Sequence, residues 1–232
     1  MVAYSIKDLE SLSGVKAHTL RIWEKRYGIS MFELCETKFN IILDHQINSK
    51  GFEETMNDVV YPLLDKLSIM WEAGSIKSVH ETFVSNIIRK KIIVQIDKLG
   101  RENCFTNVRC LIYLPENESH ELSLLFLEYI LLKNKAKVIN LGTSVPLIDV
   151  LEGKNIFNAG YIFTLFNDSF SESPLQPYLN ELARNSPDQQ VIISGFQTTS
   201  QDLDLPPNVM IVNSIEQMKT FIGEIINKSC PA

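Results

Sequence analysis

The chain has only four cysteines, Cys35, Cys104, Cys110 and Cys230, and none stands at a CxxC or other metal-type spacing. They read as reduced, structural thiols, which fits a cytoplasmic protein. Long hydrophobic runs are also missing. The longest, "LSLLFLEYILL", is broken by Glu128 and falls short of the ~18–20 residues that a membrane span needs. The N-terminus is charged by Lys7 and has no apolar leader region, so neither membrane insertion nor export is expected. No GxSxG, Walker loop or HExxH occurs, and the four histidines are scattered, so nothing points to an enzyme.

What is present is an ordinary globular composition. With 232 residues, 45% hydrophobic, 22% charged and a net charge of −6, the chain suits two domains, or one domain with an appended module. An acidic whole argues against a protein that coats nucleic acid generally. The charge is nevertheless uneven. Residues 1–30 hold Lys7, Lys16, Arg21, Lys25 and Arg26 against Asp8, Glu10 and Glu24, a net +2 that leaves −8 on the remainder.

Three zones follow from periodicity. Residues 1–30 read as helix, turn, helix: Ser5 and Asp8 form a capping-box pattern, Ile6, Leu9 and Leu12 an apolar stripe, and Ser13-Gly14 a turn. Leu20, Trp23 and Tyr27 then resume helical spacing. Residues 31–100 have helical periods throughout, with a kink expected at Pro62 and a cap at Gly74, and read as a helical bundle. Residues 106–229 alternate five β-rich runs ("VRCLIYL", "AKVINLG", "AGYIFTLF", "QQVIISG", "VMIVNS") with helical segments near 119–134, 146–153, 174–185 and 215–227. The expected fold is therefore a mainly α N-terminal half followed by a doubly wound, mostly parallel, Rossmann-like sheet.

In the basic head, Arg21, Lys25 and Arg26 recur on neighbouring turns where they can reach a DNA backbone, and His18 and Thr19 sit at the helix start, placed for base edges or phosphate. The alternative is a solvated helix face with Trp23 and Tyr27 in a core. The order of residues, "YSIKDLESLSGVKAHTLRIWEKRYGI", strongly resembles the start of the MerR family of transcription regulators. That resemblance implies that Arg21, Trp23, Arg26 and Tyr27 face DNA or its phosphates, and that Leu9, Val15, Leu20 and Ile22 pack. It also implies a wing and a long dimerisation helix after "RYG". Here Ile29-Ser30 runs straight into Met31-Phe32-Glu33. The junction reads either as a natural shortening or as an internal deletion, and tight DNA binding by this chain alone is not expected.

The second signal lies after the first strand, in "PENESHELS". Glu118 stands two residues before His120, so a carboxylate can hold one ring nitrogen and leave the other free for a metal. A loop histidine beside a glutamate equally forms a solvated or capping pair.

A bundle leading into a doubly wound sheet, with Trp71 ten residues before Glu81, resembles the cobalamin-binding module of light-responsive MerR-type regulators and of corrinoid methyltransferase proteins. By that resemblance a D-x-H-x-x-G loop makes His120 the lower ligand of cobalt and Glu118 its orienting carboxylate. A W-x9-E-H pattern caps the upper face, matched by Trp71 and Glu81 but with Thr82 at the histidine position. Glu118 and Ser123 replace the Asp and Gly of the loop, Thr164 is the remnant of the third-strand motif, and Ser194-Gly195 replaces a Gly-Gly pair. Trp71 also suits a bundle core, and Ser78 with Glu81 a helix cap.

The reading is a cytoplasmic, DNA-binding MerR-type regulator with a cobalamin-sensing module, acting as a homo-oligomer or with a full-length paralogue. Its rivals are a ligand-free protein-interaction domain and a corrinoid carrier for a methyltransferase.

Overall fold

The computed structural model describes residues 34–72, 74, 76–100, 106–170 and 174–229. The expected helix-turn-helix at 1–30, with His18, Thr19, Arg21, Trp23, Lys25, Arg26 and Tyr27, lies outside them. The chain divides into two compact units, residues 1–91 and 92–232.

The described residues of the first unit are helical. Helix α1 (Glu36–Lys50) buries Phe39 and Leu43. Helix α2 (Phe52–Thr55) continues through a π-helical turn, Met56–Val60, into α3 (Tyr61–Glu72). The turn has a local cause: Pro62 has no N–H to give and its ring crowds the carbonyl four residues back, so a regular helix cannot run through it. The preceding turn widens instead, and the Tyr61 amide bonds the Met56 carbonyl, five residues away. Gly74, at φ +69°, ends α3 with its amide on the Trp71 carbonyl.

Helix α4 (Ser78–Gly100) begins in this unit and crosses into the second. At its start, beside the Ser78–Glu81 pair that offered an alternative cap, His80 Nδ1 lies 3.1 Å from both the amide nitrogen and the carbonyl oxygen of Lys77. Phe39, Leu43, Val60 and Ile88 line one small cavity of about 10 Å³, so α1, the π-turn and α4 share a core.

The second unit is a five-stranded sheet in the order β2-β1-β3-β4-β5, with every pairing parallel. Its strands are β1 (Arg109–Tyr113), β2 (Lys137–Asn140), β3 (Tyr161–Leu165), β4 (Gln190–Ser194) and β5 (Val209–Ile211). The helices are α5 (Glu121–Lys133), α6 (Leu147–Phe157), α7 (Gln176–Arg184), the short α8 (Gln197–Ser200) and α9 (Ile215–Ser229). All five expected strands and the four expected helices are present.

A parallel sheet with buried faces needs near-continuous apolar strands. Cys110, Leu111, Ile112 and Tyr113 of β1, Ile162 and Phe163 of β3, and Val191, Ile192 and Ile193 of β4 are all fully buried. The apolar run that broke at Glu128 is α5, which buries Leu124 to Leu127 and Tyr129 to Leu131 inside this unit. Glu128 is accommodated by Asn140, whose amide nitrogen donates to its carboxylate at 2.6 Å. Among the described residues no helix is long and apolar enough to cross a membrane.

Candidate functional site

In the order 2-1-3-4-5 the chain winds one way from β1 to β2 and the other way from β3 onward, so the crevice opens between the carboxyl ends of β1 and β3. Two loops meet there. The first, from Pro115 to His120, joins β1 to α5, and the second, Asn167 to Ser169, follows β3.

Glu118 links them. Although it is 3% exposed, both of its carboxylate oxygens are satisfied. Oε1 lies 2.6 Å from His120 Nδ1 and also takes the Ser119 and His120 amides at 3.1 and 3.3 Å. Oε2 accepts the amides of Asn167, Asp168 and Ser169 at 2.6, 3.0 and 3.4 Å, and the Ser169 hydroxyl at 3.3 Å. Burial by itself would raise the carboxyl, but the bonds from His120, Asn167 and Asp168 outweigh it and hold Glu118 down to about 2. It is therefore ionised and accepts only.

That fixes the imidazole. An ionised acceptor at 2.6 Å requires the proton on Nδ1, so in the neutral ring the lone pair sits on Nε2. No hydrogen bond reaches Nε2 among the described residues, and the side chain is 43% exposed. The hydrogen bond to Glu118 raises the ring's pKa, partial burial opposes it, and the charges of Glu118 and Asp168 add to the rise. An anchored ring with a free basic nitrogen is what a metal ligand requires.

The third loop, after β4, is attached through Asn167. Its Oδ1 accepts the Phe196 amide at 2.9 Å, and its carbonyl accepts the Gln197 side-chain amide at 3.0 Å. Gly195 adopts φ +111° where this loop turns. Ser123 lies in the first turn of α5, half-buried, and its amide donates to the His120 carbonyl at 3.1 Å. Its backbone is helical, so no glycine conformation is required there.

The structure thus joins Glu118, His120, Ser123 and Gly195 to one edge of the sheet. Thr164 is two strand positions deeper, buried in β3 in register with Tyr113 and Ile193. Trp71, half-exposed in the last turn of α3, and Glu81, in the first turn of α4, belong to the helical unit. Sequence reasoning missed Asn167, Asp168 and Ser169. The signal was a run of three small polar residues directly after an apolar strand, a few positions beyond the motif remnant sought at Thr164.

Residues 4–31 match the model of the MerR HTH family regulatory proteins. No curated protein sequence matches the chain. Among solved structures, the Methanosarcina barkeri monomethylamine corrinoid protein is similar, with a TM-score of 0.64 and 10% identity over 84% of this chain and 94% of that one. The methanol:cobalamin methyltransferase complex of the same organism gives 0.44 at 12% identity, over 98% of this chain and 94% of that one. A cobalamin-binding protein from Desulfitobacterium hafniense DCB-2 gives 0.39 at 14%, over 87% and 96%. The likeness of fold rests on the first of these: a helical half followed by a parallel, Rossmann-like sheet.

Proposed function

We propose that this chain is a MerR-type transcriptional regulator, not an enzyme, whose C-terminal module binds cobalamin with His120 as the lower ligand of cobalt. One observation carries the reading: the His120 ring is anchored at Nδ1 by an ionised, buried carboxylate and presents an unpartnered Nε2 at the switch point of the sheet. The donor set fits the group, because cobalt takes a neutral imidazole and Glu118 selects the tautomer that offers Nε2. Gly195 leaves out a Cβ that would meet the Phe166 carbonyl, so the loops after β3 and β4 start close together. When bound, cobalamin would supply the responsive chemistry at its cobalt. Glu118 and His120 of the sheet unit would hold and orient it.

The match over residues 4–31 supports DNA as the partner, read by His18, Thr19, Arg21, Trp23, Lys25, Arg26 and Tyr27. With no wing in the sequence after Gly28, binding by this chain is weak and falls steeply with added salt, at a slope of about −0.9 per phosphate contact. A second copy or a full-length paralogue would supply the other half of a palindromic site.

A corrinoid carrier is the second reading, favoured by the likeness to the monomethylamine corrinoid protein. A carrier has no use for the N-terminal match, which favours the regulator.

The test is to mix the full chain with cobalamin in the dark and separate it by gel filtration. Co-eluting corrin bands of a histidine-ligated cobalt are expected, lost in His120→Ala, with affinity weakened about 10–100-fold in Glu118→Gln. Equal binding and identical spectra for wild type and His120→Ala would show the ligand assignment to be wrong. No binding by either would leave a ligand-free interaction domain.

A further inference from the structure

Asp168 is the part of this site to which the cobalamin reading gives no role. Its Oδ2 lies 3.4 Å from His120 Nδ1, on the side of the ring facing Glu118, and it accepts the Ser119 hydroxyl. One ligand atom each from Glu118, His120 and Asp168 falls within 4.8 Å of the others.

Charge makes this grouping unusual. Two carboxylates share one imidazole, and among the described residues no lysine or arginine pairs with either. Glu118 gives Oε2 to the amides of Asn167 and Asp168, while Oε1, which also accepts the Ser119 and His120 amides, is the oxygen aimed at the ring. Asp168 and His120 are half-exposed, so an ion has a path in.

The distances suit a small cation. Zinc bonds of about 2.0–2.2 Å in a tetrahedron place neighbouring ligand atoms about 3.4 Å apart. The His120–Asp168 separation already has that value. The His120–Glu118 contact is at hydrogen-bond length, 2.6 Å, and must open by roughly 0.8 Å once an ion replaces the Nδ1 proton.

We propose that Glu118, His120 and Asp168 bind a first-row divalent cation of the zinc class, with His120 coordinating through Nδ1 and water completing the shell. Nitrogen plus carboxylate oxygen ligands suit such ions. The Nδ1 proton is given up and the ring keeps its proton on Nε2. A ring in that state has no lone pair for cobalt, so the cation and cobalamin are mutually exclusive on His120. The cation site stands on this geometry alone; only the exclusion rests on the cobalamin reading.

The experiment titrates the full chain, stripped with chelator, with Co²⁺ followed by absorbance and with Zn²⁺ in competition. One equivalent is expected to bind. Asp168→Asn is expected to weaken it at least about tenfold, and His120→Ala to abolish it, with circular dichroism showing that Asp168→Asn, a half-exposed and nearly isosteric change, remains folded. Equal Zn²⁺ affinity in wild type and Asp168→Asn, or no binding by wild type, overturns the site. With cobalamin added, Zn²⁺ is expected to erase the histidine-ligated bands in wild type and to leave them in Asp168→Asn. Bands that survive Zn²⁺ in wild type overturn the exclusion. If no corrin bands form at all, the cobalamin reading has failed and the cation titration still decides the site.

Discussion

A Cβ placed on Gly195 would lie 2.5 Å from the carbonyl oxygen of Phe166, so the ends of β4 and β3 approach more closely than any side chain allows. Gly195 also sits at φ +111°, which L side chains rarely adopt. Gly195→Ala is therefore expected to destabilise the sheet unit by about 1–3 kcal/mol or more, combining backbone strain with the clash. The denaturant midpoint reads this. Because Asn167 bonds the Phe196 amide and Glu118 in turn takes the Asn167 amide, the variant should also disturb His120. An unchanged midpoint would mean that the two loops are free to move apart.

Stability should depend on pH through the Glu118–His120 pair, with opposite signs for the two groups. Glu118 is depressed from 4.5 to about 2, so its contribution is present above its ordinary value and is lost as pH falls toward 2. That share is up to about 3 kcal/mol. His120 is raised, so its contribution is present below 6.5 and is lost as pH rises through the raised value. Glu118→Gln should flatten both limbs. Urea midpoints of the two proteins measured across pH 2–9 that run parallel would contradict the pairing.

Inside the unit, Tyr113 and Tyr178 share a hydroxyl pair at 2.8 Å, and burial pushes both phenols up, Tyr178 to about 12. Tyr113→Phe leaves the Tyr178 hydroxyl without this partner and should cost about 1–3 kcal/mol, whereas the double change to Phe should cost less than the two single changes added together. Thermal melts of the four proteins give the coupling directly. Additive losses would mean that the pair contributes nothing as a pair.

The sheet was legible because its signal is local: each strand is a short apolar run bounded by polar turns, and "VRCLIYL" or "QQVIISG" admits few other readings. The strand order was not, since nothing in the run around Lys137 says that it pairs outside β1 and leaves β3 on the other side. At the site, Glu118 and His120 were readable because two residues apart in one loop they can meet without help from the fold. Asp168 lies 48 positions beyond His120 and reaches it only because parallel pairing of β1 with β3 brings the two loops to one edge. The π-turn was half visible: Pro62 announced a break, but whether the helix bends or widens depends on burying Met56 and Val60 together.

Trp71 offers the last test. It ends α3 with half of its surface exposed, although a large indole is ordinarily among the more buried side chains, and a ligand that covers it would recover apolar area otherwise left in water. Such a contact adds affinity without adding a bond to cobalt. Trp71→Ala should therefore weaken cobalamin binding by at least about tenfold, the loss expected from roughly 1.5–3 kcal/mol of side-chain burial, while the histidine-ligated absorption bands stay where they are. His120→Ala should do the reverse, shifting the bands whatever its effect on affinity. Equilibrium dialysis for affinity and absorbance for ligation separate the two. Wild-type affinity in Trp71→Ala would mean that the indole takes no part in binding.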